Sequence, residues 1–308
     1  MEFLSTTNDN LAKEGDIVVL FSSRSEMVQA KLTANQVTQT SKGHFHHNSI
    51  IGSRYGSFVF NPTKSAFCRL FMMTPELWTE TLSHRTQIMY TPDISIIISR
   101  LDVKPGDVVC EAGTGSGSLS HSLIKAVAPG GHVFTFEFHE LRAAEALKEF
   151  TQNGLLPLVS SFHRDVCANG FLVENSLADH QADSLFLDVP SPWKAISHVY
   201  RVLKHNGNFC SFSPSVEQIQ KTLAAMSQHG GFVLPTVIGV QCFPYDLKPV
   251  SSRKSSRMAE ESLSLLSKCE EFMSILPSEE YSLHKRCAQD RYHTGYLMFC
   301  KTVLNKKE

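Results

Sequence analysis

Paired cysteine spacing is missing from this chain: its eight cysteines include no C-x-x-C. Cys110, Cys210 and Cys300 instead lie in apolar, strand-like runs, where free cysteine behaves as a small hydrophobe. That usage argues against a zinc site and a disulfide framework and suits a reducing compartment. Long apolar runs are missing too. None, Ile94-Ser-Ile-Ile-Ile98 included, is long enough to span a bilayer. Residues 1–10 are polar and acidic, unlike a signal peptide. A soluble, intracellular protein is expected. Net charge is almost absent, at −1. A chain that grips nucleic acid unaided is usually basic, so any such contact must come from a local patch or a partner subunit. No internal repeat is present. What remains is ample for a core: 308 residues, 42% of them hydrophobic, enough for a large domain with or without a small one.

The chain is organised around Asp107-Val-Val-Cys-Glu-Ala-Gly-Thr-Gly-Ser-Gly-Ser-Leu119. A short apolar strand breaks into Gly113, Gly115 and Gly117 and re-enters as a helix. Glycine lacks a Cβ, so the loop can turn sharply and approach a ligand closely. The new helix offers unpaired N–H groups at its start. Dinucleotide enzymes use G-x-G-x-x-G for a pyrophosphate. Here the third glycine comes one residue early and Glu111 precedes the first. A carboxylate there repels phosphate and suits a cation, so S-adenosylmethionine, with its ammonium and sulfonium, fits better. A plain tight turn is the bland alternative.

Ahead of this stretch, 17–21, 27–32, 36–40, 57–60 and 69–72 are β-prone pieces separated by Gly, Ser and Asn, a small antiparallel sheet or barrel. Arg24, Lys31, Lys42 and Arg54 outnumber Glu26 there, beside His44, His46 and His47. These fit either a solvated loop face or a patch for nucleic-acid phosphate. No metal is expected, because no Cys or carboxylate stands at ligand spacing. Thr74-Pro75 and Pro92 start two helices. From Lys104 strands and helices alternate, the mark of a doubly wound, mostly parallel sheet. Strands are expected at 107–111, 132–137, 157–162, 183–187 and 208–213, with long closing strands at 232–243 and 294–303. The helix over 140–150 should bury Ala143, Leu147 and Phe150. The helix opened by Ser215 and Gln218, a capping box, should bury Val216, Ile219, Leu223 and Met226. The expected domains are a small β-barrel-like domain over 1–73, connector helices over 74–103, and a Rossmann-like domain over 104–308 with a mobile insert at 250–290.

Glu111, Glu137, Asp165 and Asp188 each follow or end a parallel strand, which puts all four at the edge where such sheets bind ligands. Glu137 can take paired hydrogen bonds from both hydroxyls of a ribose. Asp165 falls near an adenine amino group. Asp188 opens Asp-Val-Pro-Ser-Pro-Trp193, whose prolines stiffen the loop.

Four blocks carry a resemblance: Glu111-Ala-Gly-Thr-Gly-Ser-Gly-Ser118, Glu137-Phe-His-Glu-Leu-Arg142, Phe186-Leu-Asp-Val-Pro-Ser-Pro-Trp193 and Cys210-Ser-Phe-Ser-Pro214. With Thr38-Gln-Thr40, Thr74-Pro-Glu-Leu-Trp78, Arg85-Thr-Gln-Ile-Met-Tyr90 and His293-Thr-Gly-Tyr-Leu297, they resemble the catalytic subunit of eukaryotic tRNA adenine-58 N1-methyltransferases over nearly the whole chain. The resemblance implies a class I methyltransferase fold behind an N-terminal β domain, and S-adenosylmethionine as cofactor. By position it implies that Met89, Glu111, Gly113, Gly115, Ser116, Gly117, Ser118, Glu137, Arg142, Asp165, Val166 and Asp188 line that cofactor. It assigns Asp188 to catalysis. It implies tRNA contacts at Thr38, Gln39, Thr40, Gln87, Tyr90, Pro190, Ser211, Phe212, Ser213, Pro214 and Thr294. It also implies a related non-catalytic subunit, a two-plus-two heterotetramer, and the nucleus. Three alternatives stay open: a protein isoaspartyl carboxyl methyltransferase, which shares the glycine loop; a non-catalytic tRNA-binding paralogue; and a nicotinamide oxidoreductase.

Overall fold

The computed structural model describes residues 10–23, 26–82, 87–242, 245–249, 281–285 and 295–304. They form two compact units. One gathers the described residues of 6–73 and 242–290, the other those of 74–241 and 291–308.

The first unit contains β1 (Ile17–Ser23), β2 (Glu26–Lys31), β3 (Val37–Thr40), β4 (Gly43–His46), the short helix α1 (His47–Ile50), β5 (Phe58–Phe60) and β6 (Phe67–Met72). An antiparallel sheet runs in the order β2-β1-β6-β5, and β3 and β4 form a separate ribbon. Alternation along the strands sends Val18, Leu20, Phe45, Val59, Cys68 and Leu70 into one apolar core. Residues 43–46, for which no strand was expected, form β4 paired with β3, and His47 is buried with its ring bonded to Thr38 and Thr33. A second ribbon joins β13 (Tyr245–Pro249) to β14 (Tyr281–Lys285). The expected mobile insert therefore includes a strand at its far end; its other residues, and Arg24, lie outside the described residues.

The second unit begins with α2 (Pro75–Thr81) and α3 (Thr91–Arg100). Thr74 caps α2 by accepting from the Leu77 N–H at 3.3 Å, with Pro75 at the first position. Then come β7 (Val108–Ala112), α4 (Ser118–Val127), β8 (His132–Glu137), α5 (Glu140–Gln152), β9 (Val159–His163), α6 (Val166–Asn169), β10 (Ala182–Leu187), α7 (Ile196–Val202), β11 (Leu203–Ser213), α8 (Val216–His229), β12 (Phe232–Gly239) and β15 (Tyr296–Thr302). They build a seven-stranded sheet in the order β12-β15-β11-β10-β7-β8-β9. From β9 to β11 every neighbour is parallel. Only β15 runs against both its neighbours. The strand order reverses between β7 and β10, and the crevice beyond their carboxyl ends is where such a sheet takes a ligand.

One face of the sheet buries Cys110, Ala112, Phe134, Phe136, Leu185, Leu187, Phe209 and Met298 with Ile196, Val199, Ile219 and Met226 of α7 and α8. Each large apolar side chain so buried is worth about 1.5–3 kcal/mol. Two helix faces are narrower than the sequence pattern implied. On α5, Ala146 replaces Leu147 in the buried stripe, and Leu147 is exposed. On α8, Val216 sits in the first turn and is exposed. The capping box is half made: Ser215 Oγ accepts from the Gln218 N–H at 3.4 Å, while Gln218 Oε1 has no partner among the described residues.

Candidate functional site

The loop from β7 to α4 is stitched to its neighbours through backbone. The Gly113 N–H donates to the Phe136 carbonyl at 2.9 Å, and the Asp188 N–H donates to the Ala112 carbonyl at 2.8 Å. The ends of β7, β8 and β10 are thereby held at one rim. Gly113 has φ +94°, and a Cβ there would lie 2.2 Å from the Asp188 carbonyl oxygen. No other residue fits that approach. Gly115 and Gly117 are also left-handed, at φ +55° and +72°, and Gly117 caps α4.

The four acids divide by role. Glu111 is buried and faces inward, beneath the loop. Its Oε2 accepts from Ser120 Oγ at 2.5 Å and Thr135 Oγ1 at 2.7 Å, and Thr114 Oγ1 reaches the Thr135 hydroxyl at 2.6 Å. Burial above all pushes its pKa up to about 7; the two hydroxyls pull the other way, and Glu137 and Asp188 add repulsion. Glu137 is buried at the end of β8 with three protein donors: the Gly115 N–H and His139 N–H, both at 2.9 Å, and Arg142 at 3.0 Å. A carboxylate has about four lone-pair sites, so it keeps room for about one more donor. Asp165 Oδ1 caps α6 by accepting from the Cys167 N–H at 2.9 Å. Asp188 is half-buried, and no donor among the described residues hydrogen-bonds its carboxylate. Burial first, then the Glu137 charge, raises its pKa to about 6.

Glu111 and Asp188, both held back from ionising by burial first and by the neighbouring Glu137 charge second, make with it a site that favours a cation and disfavours phosphate. That donor set fits a positively charged cofactor. Around it, Met89, Ser116, Ser118 and Val166 are all buried. The Ser118 hydroxyl donates to the Met89 carbonyl at 2.6 Å and meets Thr79 Oγ1 at 2.8 Å, so it ties the 87–90 segment and α2 to the start of α4. Arg142 is half-exposed.

The expected tRNA contacts differ in exposure. Gln87 and Pro190 are exposed and Tyr90 half-buried. Ser211, Phe212 and Ser213 are buried; Ser211 pairs with Leu187 and Met298 and so shares their core-facing side. Neither serine hydroxyl has a hydrogen-bond partner among the described residues, and of this group Pro214 alone is exposed. Thr38, Gln39 and Thr40 lie in the other unit, where Thr38 bonds His47 and Thr40 bonds the Gly43 carbonyl, leaving Gln39 as the exposed side chain. Thr294 lies outside the described residues. Thr135, Ser120 and His121 were not foreseen. The signal was present for the last two, which follow Gly117 by three and four residues, the spacing that faces a helix start.

A profile described as tRNA methyltransferase complex GCD14 subunit matches residues 66–302, a span that includes the glycine loop, Glu137 and Asp188. The chain belongs to the GCD14 family. A TrmI-like N-terminal profile matches residues 12–59. GCD14 relatives include a tRNA (adenine(58)-N(1))-methyltransferase catalytic subunit of Dictyostelium discoideum, 44% identical over 70% of this chain and 68% of that one. The subunit of the same description from Candida glabrata is 38% identical over 84% of this chain and 72% of that one. Matches to those of Candida albicans and Eremothecium gossypii span 66% and 61% of their lengths. Among solved structures, a SAM-dependent O-methyltransferase from Thermotoga maritima superposes with TM-score 0.75 at 27% identity, covering 98% of each chain. A tRNA (m1A58) methyltransferase TrmI from Aquifex aeolicus shares the fold, with TM-score 0.69 at 22% identity over 96% of this chain and 100% of that one.

Proposed function

We propose that this GCD14-family chain is the catalytic subunit that transfers a methyl group from S-adenosylmethionine to N1 of adenine 58 in the T-loop of tRNA. The single observation that carries the reading is the Asp188 carboxylate. It is uncommitted to any protein donor among the described residues, at a rim where Gly113 touches its own backbone. The bound cofactor supplies an electrophilic methyl and a sulfur that leaves with the electron pair of the broken C–S bond. The chain supplies position and charge. Glu137 keeps a lone pair for a ribose hydroxyl. The glycine loop lets backbone N–H groups approach. The target base must leave its stack, at a cost of about a few kcal/mol. As N1 gains the methyl, positive charge spreads to the amino group. Asp188, mostly ionised at neutral pH, accepts from that amino group and stabilises the charge as it develops.

The partner is a related non-catalytic subunit, in a two-plus-two heterotetramer. The words "complex" and "catalytic subunit" in the descriptions of family and relatives support it. So do the near-neutral charge and the edge strand β12, which exposes Val233, Leu234 and Val237. The site of action is the nucleus, to be checked by fractionating cells that carry the tagged chain. The functional test is methylation of unmodified tRNA by the chain with and without a co-expressed second subunit, mapping the modified base. Methyl on N1 of adenine 58 supports the reading. Methyl elsewhere, or on isoaspartyl peptide, rejects it.

A further inference from the structure

His121 is fully buried on the first turn of α4, four residues after Gly117. From that position a helical side chain reaches back over the preceding turn. The Gly117 carbonyl consequently accepts twice from one residue: the His121 backbone N–H at 3.1 Å and ring Nδ1 at 2.6 Å. A carbonyl can only accept, so Nδ1 carries the proton. Nε2 is then an acceptor, and Asn153 Nδ2 fills it at 2.8 Å. Both ends of the ring are committed, and the tautomer is fixed. Its faces are held as well. Trp78 of α2 stacks on it with centroids 4.6 Å apart at 26°, and Phe150 of α5 lies at 5.4 Å. Burial lowers its pKa to about 4, so the ring stays neutral.

Gly117 is the last loop residue. Its own N–H donates to the Thr114 carbonyl at 2.8 Å. Its carbonyl shares a peptide plane with the Ser118 N–H, among the first unpaired donors of α4. Glycine is the residue type least able to hold that plane by itself.

We propose that His121 is a positioning residue for the methyl donor: by gripping the Gly117 carbonyl through Nδ1 it fixes the 117–118 peptide plane and so aims the loop's N–H groups at the ligand. This rests on the donor site proposed above. The grip acts on the loop and leaves the chemistry of methyl transfer to Asp188, so its loss falls on donor affinity and spares turnover.

The test compares wild type, His121→Phe and His121→Asn, each co-expressed with the second subunit. His121→Phe keeps a ring between Trp78 and Phe150 and loses both nitrogens. His121→Asn restores an N–H donor near the Nδ1 position. Calorimetry reads affinity for S-adenosylmethionine and S-adenosylhomocysteine, and kinetics separate donor KM, tRNA KM and kcat. For His121→Phe, donor Kd and donor KM should rise about tenfold, the order of one lost buried hydrogen bond. Both kcat and tRNA KM should stay within about twofold, and His121→Asn should recover most of the affinity. Unchanged donor affinity in His121→Phe overturns the inference. So does a joint loss of donor KM, tRNA KM and kcat that His121→Asn does not relieve. Should His121→Phe fail to fold, Asn153→Leu releases the Nε2 end instead. ¹⁵N spectra of the ring then report the tautomer, and a lost Nδ1 proton with undiminished donor affinity rejects the proposal. Wild type that binds no donor rejects the donor site itself, a different result from a wild type that binds and a variant that binds equally well.

Discussion

Glu111 and Asp188 stand at the ends of neighbouring parallel strands, yet their surroundings are opposite. Glu111 lies on the floor of the crevice, buried, its Oε2 fixed by Ser120 and Thr135. Asp188 lies on the rim with no donor among the described residues. A satisfied buried carboxylate shapes its surroundings, whereas an unsatisfied one at an opening is available to something that arrives. Two acids in one motif-rich region therefore differ in what they have left to offer: Glu111 is spent on the protein's own hydroxyls and Asp188 is not.

The sharpest way to break this contrast is Asp188→Ala. Turnover on tRNA should fall by about 10²–10³, the range for removing one group that stabilises developing charge, with thermal stability nearly unchanged. Normal methylation by that variant would return Asp188 to a plain loop residue. Next comes Gly113→Ala, which forces a Cβ against the Asp188 carbonyl at left-handed φ. It should cost roughly 2–4 kcal/mol of stability, read by denaturant midpoint, and a variant as stable as wild type would mean the loop lies elsewhere. Thr135→Val removes one hydroxyl from Glu111 and should cost about 1.5–3 kcal/mol while leaving kcat alone; a drop in kcat as large as that of Asp188→Ala would erase the division between floor and rim. The smallest effect is on pH. The folded pKa of Glu111, about 7, exceeds its ordinary value of 4.5, so the folded state binds more protons than the unfolded one. That contribution is full below the unfolded value and is lost as pH rises through about 7. Unliganded protein should lose about 1 kcal/mol between pH 6 and 8 from this group, and Glu111→Gln should flatten the slope. A slope of opposite sign would place Glu111 beside a cation.

The sheet was largely legible because hydrophobic runs and strand–helix alternation repeat along 104–213, and the glycine loop announced its own turn. Faces at helix ends were less so. Val216 obeys the apolar period of α8 and still meets solvent in its first turn, while Thr222, polar by type, is buried. The site was legible as a list of acids but not as roles. Position at a strand end does not reveal whether a carboxylate finds donors, and Glu111 finds them in Ser120 and Thr135, nine and 24 residues away. Ser211 and Ser213, which the resemblance implied as tRNA contacts, are interior in this chain, since sheet register, invisible in the sequence, sets which way they point.

The placement of β15 carries a consequence for how the fold is reached. This strand lies between β11 and β12 and bonds to both, although it follows β12 by more than fifty residues and the β13–β14 ribbon of the other unit intervenes. Until residues 296–302 are available, β11 lacks its second neighbour and β12 lacks the strand it pairs with, so the edges that β15 pairs stay open. Nascent chains should expose those edges to aggregation or to chaperones for as long as the ribosome takes to cross the intervening segment.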